Sequence, residues 1–532
     1  MVGPTTQADS VVSSQAPSVL VLMAEDMGLQ LGCYGDYTVP TPNIDALAKR
    51  GVLFQNAYAT SPTCSPARAS FYTGLYPHQH GHYGLGDEYG FEVHPGVPTL
   101  NERLRTAGVP SGVTYKVHVN PRPRFRFDHD FTHDWFRRQG SHPWDISRAV
   151  EAFADVLDEL PNDQPFFFQA NSHDTHKPFV GGRFDHLRPK VSDLGEPYRE
   201  LTADDRVMLP SVPNDIAGTT AFFREQAQYY NAVQRFDWTV GKYLAALEAS
   251  GRADDTIVIL TADHGPPLTR GKLSTYELGL RVPLIVVWPG VAAPGETRDA
   301  LVSHVDLSPT IDDVLGLTTP EGLAGMSLRP LLRDPDAAWR DYAIGQFFAH
   351  TTYRQLHPSY TIRDGRFKLL VNLRSATGPL RGEDAKMVIP ANSSDYFAGI
   401  RSPSDTLAHA VYARITNRPA VELYDLEDDP SEFHNLAEDP DYADVRARLE
   451  DGLLGFREAT DDPFLDEDKL QAFMDHYQQK QDEIVAWIEA NPDGNMWRDA
   501  VRRGDQSRWR VPWKPSGSPP TRLFGEGPEP GA

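Results

Sequence analysis

The sequence has few cysteines, no long hydrophobic run and no excess of positive charge. Two cysteines, Cys33 and Cys64, in 532 residues cannot form a disulfide framework, and their spacing fits no zinc ribbon or zinc finger. The net charge of −23, from 51 Lys and Arg against 74 Asp and Glu, disfavours a general attraction to nucleic acid or to an anionic membrane surface. An anionic ligand must therefore be held by local cations.

The pattern of hydrophobic residues also predicts no targeting segment and no membrane-spanning segment. The longest apolar runs, 19–24 and 282–288, are far shorter than the roughly 20 residues that cross a bilayer. Residues 1–17 contain no basic start followed by an apolar stretch and a cleavage site, so no secretory signal is expected. The sequence thus predicts a cytoplasmic protein with a flexible segment at 1–17 and no nucleic-acid or membrane partner. The sequence is compatible with a homo-oligomer.

The first 315 residues alternate between apolar segments bounded by turn residues and segments with helical periodicity. This alternation is typical of a parallel sheet covered by helices, so we predict an α/β catalytic domain over 18–340. The predicted buried strands are 19–24, 112–117, 165–170, 256–262 and 283–287. The predicted helices are 43–49, 97–107, 147–160, 222–250 and 307–315.

The pattern changes from about residue 341 to short strands. A turn-forming Asp364-Gly365 pair predicts a hairpin over 360–370, and a further strand at 421–425 precedes a helix near 442–456. We therefore predict a smaller C-terminal domain over 341–460, an antiparallel sheet with a packed helix.

The predicted extension at 461–532 begins with an amphipathic helix over 466–490 and continues as a disordered tail beyond Trp513. The apolar stripe of this helix is expected to dock on the chain itself or to form a dimer contact. Its members are Leu470, Phe473, Met474, Tyr477, Ile484, Trp487 and Ile488.

Acidic residues follow two of the predicted buried strands. Glu25 and Asp26 close the first strand, and Asp263 with His264 closes the strand at 256–262. Open parallel sheets bind their ligands at the carboxyl ends of the strands, and oxygen-rich clusters suit calcium or magnesium. As an alternative, each carboxylate caps the turn that follows its strand.

Cys64 precedes a predicted helix. Pro66 is typical of a first helical turn, and Gly74 of a helix end. Cys64 would thus lie at the positive end of a helix dipole with Arg68 about one turn on, where anions are stabilised. We interpret Cys33 as a small packed residue.

The sequence Cys64-x-Pro66-x-Arg68 resembles the signature of the type I sulfatases, in which the cysteine is oxidised to formylglycine. Further segments similar to that family follow in the same order from 18 to about 436, and the likeness is greatest to its N-sulfoglucosamine sulfohydrolase-like (heparan N-sulfatase-like) members. The resemblance implies an alkaline-phosphatase-like fold with a mixed, mostly parallel sheet between helices.

The resemblance also assigns roles to individual residues. It implies a divalent cation, calcium with magnesium as the alternative, and the ligands Glu25, Asp26, Cys64, Asp263 and His264. Around the sulfate it implies a nucleophile derived from Cys64, cations that hold the sulfate oxygens and histidines that carry protons. These catalytic residues are Cys64, Arg68, Lys116, His118, His176 and Lys272.

Three positions depart from the family pattern. Glu25 replaces an Asp, so that a side chain longer by one carbon must bend back to reach a metal. His264 stands where Asn or Asp is more usual, and Tyr115 stands where the family commonly has glycine before Lys116.

Three functions are consistent with these residues. The first is a sulfatase that hydrolyses a sulfate ester or sulfamate on a small molecule or sulfated sugar, after maturation by a formylglycine-generating enzyme. The second is a phosphonate monoester hydrolase or phosphodiesterase of the same fold. The third is a metal-stabilised binding protein without catalysis, for which Cys64 would be dispensable.

Overall fold

A computed structural model of the chain describes residues 16–86, 91–139, 141–142, 144–180, 185–350, 356–373 and 394–490. The predicted flexible segment at 1–17 lies outside these residues except for its last two, and the predicted tail beyond Trp513 lies wholly outside them. Across the residues so described, no helix combines the length and the apolar character needed to cross a membrane.

The strands of the described residues form three sheets. In chain order they are β1 (Ser18–Ala24), β2 (Val52–Phe54), β3 (Ala57–Tyr58), β4 (Ser111–Tyr115), β5 (His129–Thr132), β6 (Phe167–Ser172), β7 (Thr256–Ala262), β8 (Leu284–Val287), β9 (Glu296–Arg298), β10 (Val302–Ser303), β11 (Ala343–Phe347), β12 (Ser359–Arg363), β13 (Phe367–Asn372) and β14 (Val421–Asp425).

The largest sheet has the order β5-β4-β6-β1-β7-β8-β2-β9. Its first five strands are parallel neighbours, and every residue of β1 and β7 is buried. Continuous apolar strands of this kind are expected where helices cover both faces of a sheet. The predicted α/β class and mostly parallel sheet are confirmed.

The strand predicted at 283–287 differs from the expected parallel arrangement. It forms β8, which runs antiparallel to both β7 and β2. The segment between β7 and β8 stays at the carboxyl end of β7, where Gly265 N donates to the Gly279 carbonyl at 2.9 Å. Because the chain does not cross back over a face of the sheet, it re-enters from the same edge and must run antiparallel.

The helices of the described residues include the predicted ones, close to their predicted bounds, and others that the sequence did not predict. They are α1 (Pro42–Arg50), α2 (Cys64–Thr73), α3 (Pro77–His80), α4 (Leu100–Thr106), α5 (His133–Arg138), α6 (Ile146–Glu159), α7 (Thr220–Ala249), α8 (Glu277–Leu280), α9 (Leu307–Leu315), α10 (Arg329–Arg333), α11 (Ser394–Arg401), α12 (Leu407–Thr416), α13 (Ala443–Ala459) and α14 (Glu467–Ala490).

Two groups of helices pack against the large sheet. In one group α7 contacts both α1 and α6, and in the other α2 contacts α4 and α9. Side-chain caps fix where the long helices start: the Asp145 side chain accepts from Arg148 N before α6, and the Thr219 side chain accepts from Phe222 N before α7. Each cap satisfies a backbone donor that the first helical turn leaves unpaired.

The second part of the chain contains a four-stranded antiparallel sheet with the order β11-β12-β13-β14, and α13 packs on β12 and β13. This arrangement confirms the predicted antiparallel sheet with a packed helix. In α14, Phe473, Met474 and Tyr477 are buried and Phe91 stacks on Tyr477, so this part of the stripe docks on the chain. The side chains of Ile484, Trp487 and Ile488 lie outside the described residues.

Candidate active site

The two acidic strand ends meet at the carboxyl edge of the large sheet. Strands β1 and β7 are parallel neighbours with Ala24 opposite Ala262, so the residues that follow them lie side by side. Glu25, Asp26 and Asp263 are fully buried, as is His264. The backbone N of Asp26 donates to Asp263 Oδ1 at 2.9 Å, which fixes the two acidic ends together.

Cys64 is the first residue of α2 and lies above these strand ends. Its Sγ atom lies 3.3 Å from His264 Nε2, 3.9 Å from Asp26 Oδ1 and 3.8 Å from Glu25 Oε1. Burial raises the pKa of the Cys64 thiol, and the positive charge of Lys272 opposes that rise only in part. The thiol is therefore neutral at pH 7, at the electropositive end of a helix.

Four of the five predicted metal ligands form one donor set. Atoms of Asp26, Cys64, Asp263 and His264 lie within 4.8 Å of one another, and all four residues are buried. Burial lowers the pKa of His264 to about 3, and its Nδ1 lies 2.9 Å from the Gly265 carbonyl. A neutral ring that donates through Nδ1 leaves the Nε2 lone pair facing the carboxylates, as in a metal ligand.

The two aspartates of this set also suit a cation. Burial raises the pKa of Asp26 to about 7 although Lys272 acts to lower it, so its charge is costly even beside that lysine. Burial also acts to raise the pKa of Asp263, but the neighbouring His264 and Arg68 bring it below its usual value. Two buried carboxylates and a neutral imidazole fit a divalent cation.

Glu25, the fifth predicted ligand, faces a different set of partners. Its carboxylate contacts Lys116, and its Oε2 lies 2.9 Å from His173 Nδ1. It forms a second possible donor group with Asp26 and His176. The extra carbon of Glu25, compared with Asp, carries the carboxylate toward these neighbours, and its role as a metal ligand stays a prediction.

Two of the three predicted sulfate-binding cations make buried contacts with residues of the donor set. Arg68 Nε lies 3.0 Å from Asp263 Oδ2, and Nη1 lies 2.8 Å from Asn171 Oδ1. Within the described part of the chain, its buried Nη2 has no hydrogen-bond partner. Lys272 Nζ lies 3.4 Å from Cys64 Sγ and 2.8 Å from Asp26 Oδ2. An unpaired guanidinium nitrogen on a residue one helical turn after Cys64 is suited to bind an anionic oxygen.

The loop that carries Lys272 packs tightly against the residue after His264. A Cβ atom on Gly265 would lie 1.7 Å from the Leu278 carbonyl oxygen, so only glycine permits this approach. The backbone N of Lys272 donates to the Pro266 carbonyl at 2.8 Å. These contacts hold Lys272 beside the donor set.

Lys116 lies past the end of β4, which stops at Tyr115 rather than at the predicted residue 117. Tyr115 has a φ of 67°, in the left-handed region that favours glycine. Burial lowers the pKa of Lys116 to about 7, so part of this amine is uncharged at neutral pH.

Of the two predicted proton carriers, His176 belongs to one of the donor groups of the described residues and His118 to neither. His176 is half-buried, and its Nε2 lies 3.8 Å from Asp26 Oδ2 and 3.9 Å from Glu25 Oε1. Burial, together with the charges of Lys116 and Arg68, lowers the pKa of His118 well below its usual value.

Other residues of the site had no assigned role in the sequence. Asn171 contacts Arg68, and its place at the end of β6 beside β1 is a signal that strand register could have supplied. His350 follows β11, and its Nδ1 lies 2.6 Å from the hydroxyl of Thr63, the residue that precedes α2. No local pattern links His350 to this edge, because the contact joins positions 287 residues apart.

Comparison with known proteins agrees with this geometry. The sulfatase family model matches residues 17–317, more than half of the chain, and the chain belongs to the sulfatase family. It is therefore a hydrolase of sulfuric esters or sulfamates. The model of the C-terminal region of N-sulphoglucosamine sulphohydrolase matches residues 271–377. The human N-sulphoglucosamine sulphohydrolase is 31% identical over 480 residues, which cover 84% of this chain and 91% of that relative.

Solved structures confirm the predicted alkaline-phosphatase-like fold. A protein in complex with its substrate D-glucosamine-2-N,6-O-disulfate has a TM-score of 0.61 at 20% identity and covers 84% of this chain and 98% of its own. The phosphonate monoester hydrolase of Agrobacterium radiobacter has a TM-score of 0.59 at 23% identity, with coverage of 84% and 96%. At these identities the likeness concerns the fold alone.

Proposed function

We propose that this sulfatase hydrolyses a sulfate ester or sulfamate on a sulfated sugar. The reaction uses a divalent cation and a formylglycine that is made from Cys64. The observation that carries the proposal is the position of Cys64 Sγ, 3.3 Å from His264 Nε2 and 3.4 Å from Lys272 Nζ, in one buried donor set with Asp26 and Asp263. The sugar is supported by the names of the human relative and of the substrate complex with the same fold.

The cation is held by Asp26, Asp263 and His264 beside residue 64, with Glu25 as a further candidate ligand. We propose calcium, with magnesium as the alternative, because carboxylate oxygens dominate the set. A bound dication neutralises charge on a sulfate oxygen and lowers the pKa of a hydroxyl group next to it. Formylglycine, produced from Cys64 by a formylglycine-generating enzyme, supplies as its hydrate one hydroxyl to attack sulfur and a second to expel sulfate.

The remaining side chains bind the sulfuryl group and move protons. Arg68 donates from its unpaired Nη2 to a sulfate oxygen, and Lys116 and Lys272 hold the other charge. In its imidazolium form His176 protonates the departing oxygen or nitrogen from Nε2, since its other nitrogen, Nδ1, lies 2.5 Å from the Lys177 carbonyl. His118 accepts a proton as sulfate is released.

The test combines mass spectrometry with turnover. The peptide that contains Cys64 is expected to carry an aldehyde in place of the thiol, and the protein is expected to hydrolyse 4-nitrophenyl sulfate. Cys64→Ser should abolish turnover, whereas Cys33→Ser, which changes the half-buried cysteine outside the site, should retain it. A free Cys64 thiol in fully active protein would contradict the formylglycine proposal.

The phosphonate monoester hydrolase shares the fold, so the same assay includes an aryl phosphonate ester. A strong preference for the phosphonate ester would show that the substrate is a phosphonate rather than a sulfate. If neither ester is turned over and Cys64→Ser binds a sulfated sugar as tightly as wild type does, the protein would be a binding protein.

A further inference from the structure

Three planar side chains form a stack beside the candidate active site. The rings of Trp144 and His173 are 5.8 Å apart and inclined by 15°, and those of His173 and His176 are 4.7 Å apart and inclined by 26°. The His173 ring therefore packs nearly parallel to both Trp144 and His176. Trp144 is itself 6% exposed and gives the stack a rigid base.

The edge of His173 is fixed as well. Its Nδ1 lies 2.9 Å from Glu25 Oε2 and also contacts the hydroxyl of Tyr115. The Tyr115 ring lies 4.8 Å from the His173 ring and is 3% exposed. The two ring contacts and the two contacts at Nδ1 leave the His173 ring little freedom to turn.

His176 has fewer restraints of its own. Its side chain is 29% exposed, and Nδ1 contacts the adjacent Lys177 carbonyl, which leaves Nε2 toward Glu25 and Asp26. The backbone contact holds only one nitrogen of His176. The packing of the His176 ring on His173 fixes the plane of the ring. The ring of a proton donor must hold its angle, because misplacement by about 1 Å costs roughly a hundredfold in rate.

Tyr115 adopts a backbone conformation that costs a non-glycine residue free energy. Its φ of 67° lies in the left-handed region, where L side chains are strained. Strain of this kind persists where the surrounding structure holds it in place, and such positions cluster at functional sites. The contact that accompanies it here is the one between the Tyr115 hydroxyl and His173 Nδ1.

We propose that Tyr115 and His173 are positioning residues that hold the ring of His176 toward the leaving group of the substrate. The inference rests on the proposed function, which assigns proton donation to His176. It also narrows the substrate class. A held proton donor matters most when the departing atom is a sugar hydroxyl oxygen or amine nitrogen, and little for an acidic phenol that leaves without a proton.

The experiment compares two substrates in four proteins. Wild type, Tyr115→Phe, His173→Leu and Tyr230→Phe are assayed on 4-nitrophenyl sulfate and on glucosamine 6-sulfate. Tyr230→Phe is the matched control, since it removes a buried hydroxyl that contacts Asp36 Oδ2 at 2.8 Å outside the site. We expect Tyr115→Phe and His173→Leu to lower kcat on the sugar sulfate by about tenfold to a hundredfold and kcat on the aryl ester by less than about threefold.

A double-variant comparison isolates the route of the effect. In a His176→Ala background, His173→Leu should cause no further selective loss on the sugar sulfate. Equal losses on both substrates, or a further loss in that background, would overturn the inference, as would unchanged kcat in Tyr115→Phe. If His173→Leu does not fold, as judged by its denaturation midpoint, Tyr115→Phe alone decides.

The same data separate this inference from the proposed function. A wild type that hydrolyses phosphonate but not sulfate esters would refute the sulfate substrate. The variants would then be compared on aryl and alkyl phosphonate esters, where a selective loss on the alkyl ester would support the positioning role and an equal loss would refute it.

Discussion

Replacing Arg68 tests the electrostatic arrangement of the site. Arg68 and Asp263 form an ion pair at 3.0 Å in which neither side chain is exposed. Arg68→Met leaves Asp263 as a buried charge without its cation, a change that costs about 3–5 kcal/mol in other proteins. Asp263 Oδ1 keeps its bonds from the backbone N of Asp26 and of His264, so we expect the lower end, about 3 kcal/mol, in cation-free protein.

The matched control is a buried pair away from the site. Arg340 contacts Asp306 at 2.6 Å with side chains 7% and 0% exposed, so Arg340→Met should cost a similar free energy of unfolding. Calcium should stabilise Arg68→Met more than wild type, because the positive charge beside Asp263 is gone, and a ligand at a hundred times its Kd adds about 2.7 kcal/mol. Calcium should stabilise Arg340→Met no more than wild type.

The assay is urea denaturation of chelated and calcium-loaded protein, with turnover measured on the folded fraction. Arg68→Met should lower kcat by about a hundredfold or more, as expected for loss of a donor to a developing anion, whereas Arg340→Met should leave kcat unchanged. A loss of stability below about 1 kcal/mol for Arg68→Met would refute the reasoning, given the burial of the pair. An equal response of both variants to calcium would refute it too.

Two further predictions concern charge and packing. Because the pKa of Lys116 is lowered to about 7, this lysine is charged below pH 7 and loses its proton above it, so kcat/KM for a sulfate ester should fall as pH rises from 6 to 8. A pH profile should show this limb in wild type and lose it in Lys116→Arg, and an unchanged limb would assign the titration to another group. Phe473→Ala should lower the free energy of unfolding by about 3–5 kcal/mol in urea while kcat stays unchanged, because Phe473 is fully buried and packs on Phe464 and Tyr477, which have no role in the candidate site. A loss below about 1 kcal/mol would show that α14 contributes little to stability.

The strands that carry the site were predictable because their side chains are almost all apolar. Strand β7 and helix α9 have the predicted bounds, because a residue that favours termination follows each of them. The acidic Asp263 follows the strand, and Gly316 follows the helix. Gly316 has a φ of 65°, the left-handed end typical of a helix that stops at glycine. Local chemistry therefore placed the acidic edge of the sheet.

The orientation of individual side chains was not predictable in the same way. Glu25 follows β1 as expected, but its carboxylate lies with Lys116 and His173, which come from 91 and 148 residues further along the chain. Competition among such distant partners depends on the folded geometry. The left-handed conformation of Tyr115 has the same origin, since nothing in its local sequence requires a positive φ.

The ion pairs of Glu277 join the active-site loop to the second sheet. Glu277 opens α8, five residues after Lys272, and its carboxylate lies 3.0 Å from Lys368 Nζ of β13. Lys368 also contacts Glu432 at 2.9 Å. A fragment that stopped before the antiparallel strands would lack the lysine that neutralises Glu277, five residues after Lys272. The two parts of this enzyme are consequently expected to depend on each other. A chain shortened from its C-terminal end should lose turnover even where the site residues themselves are all present.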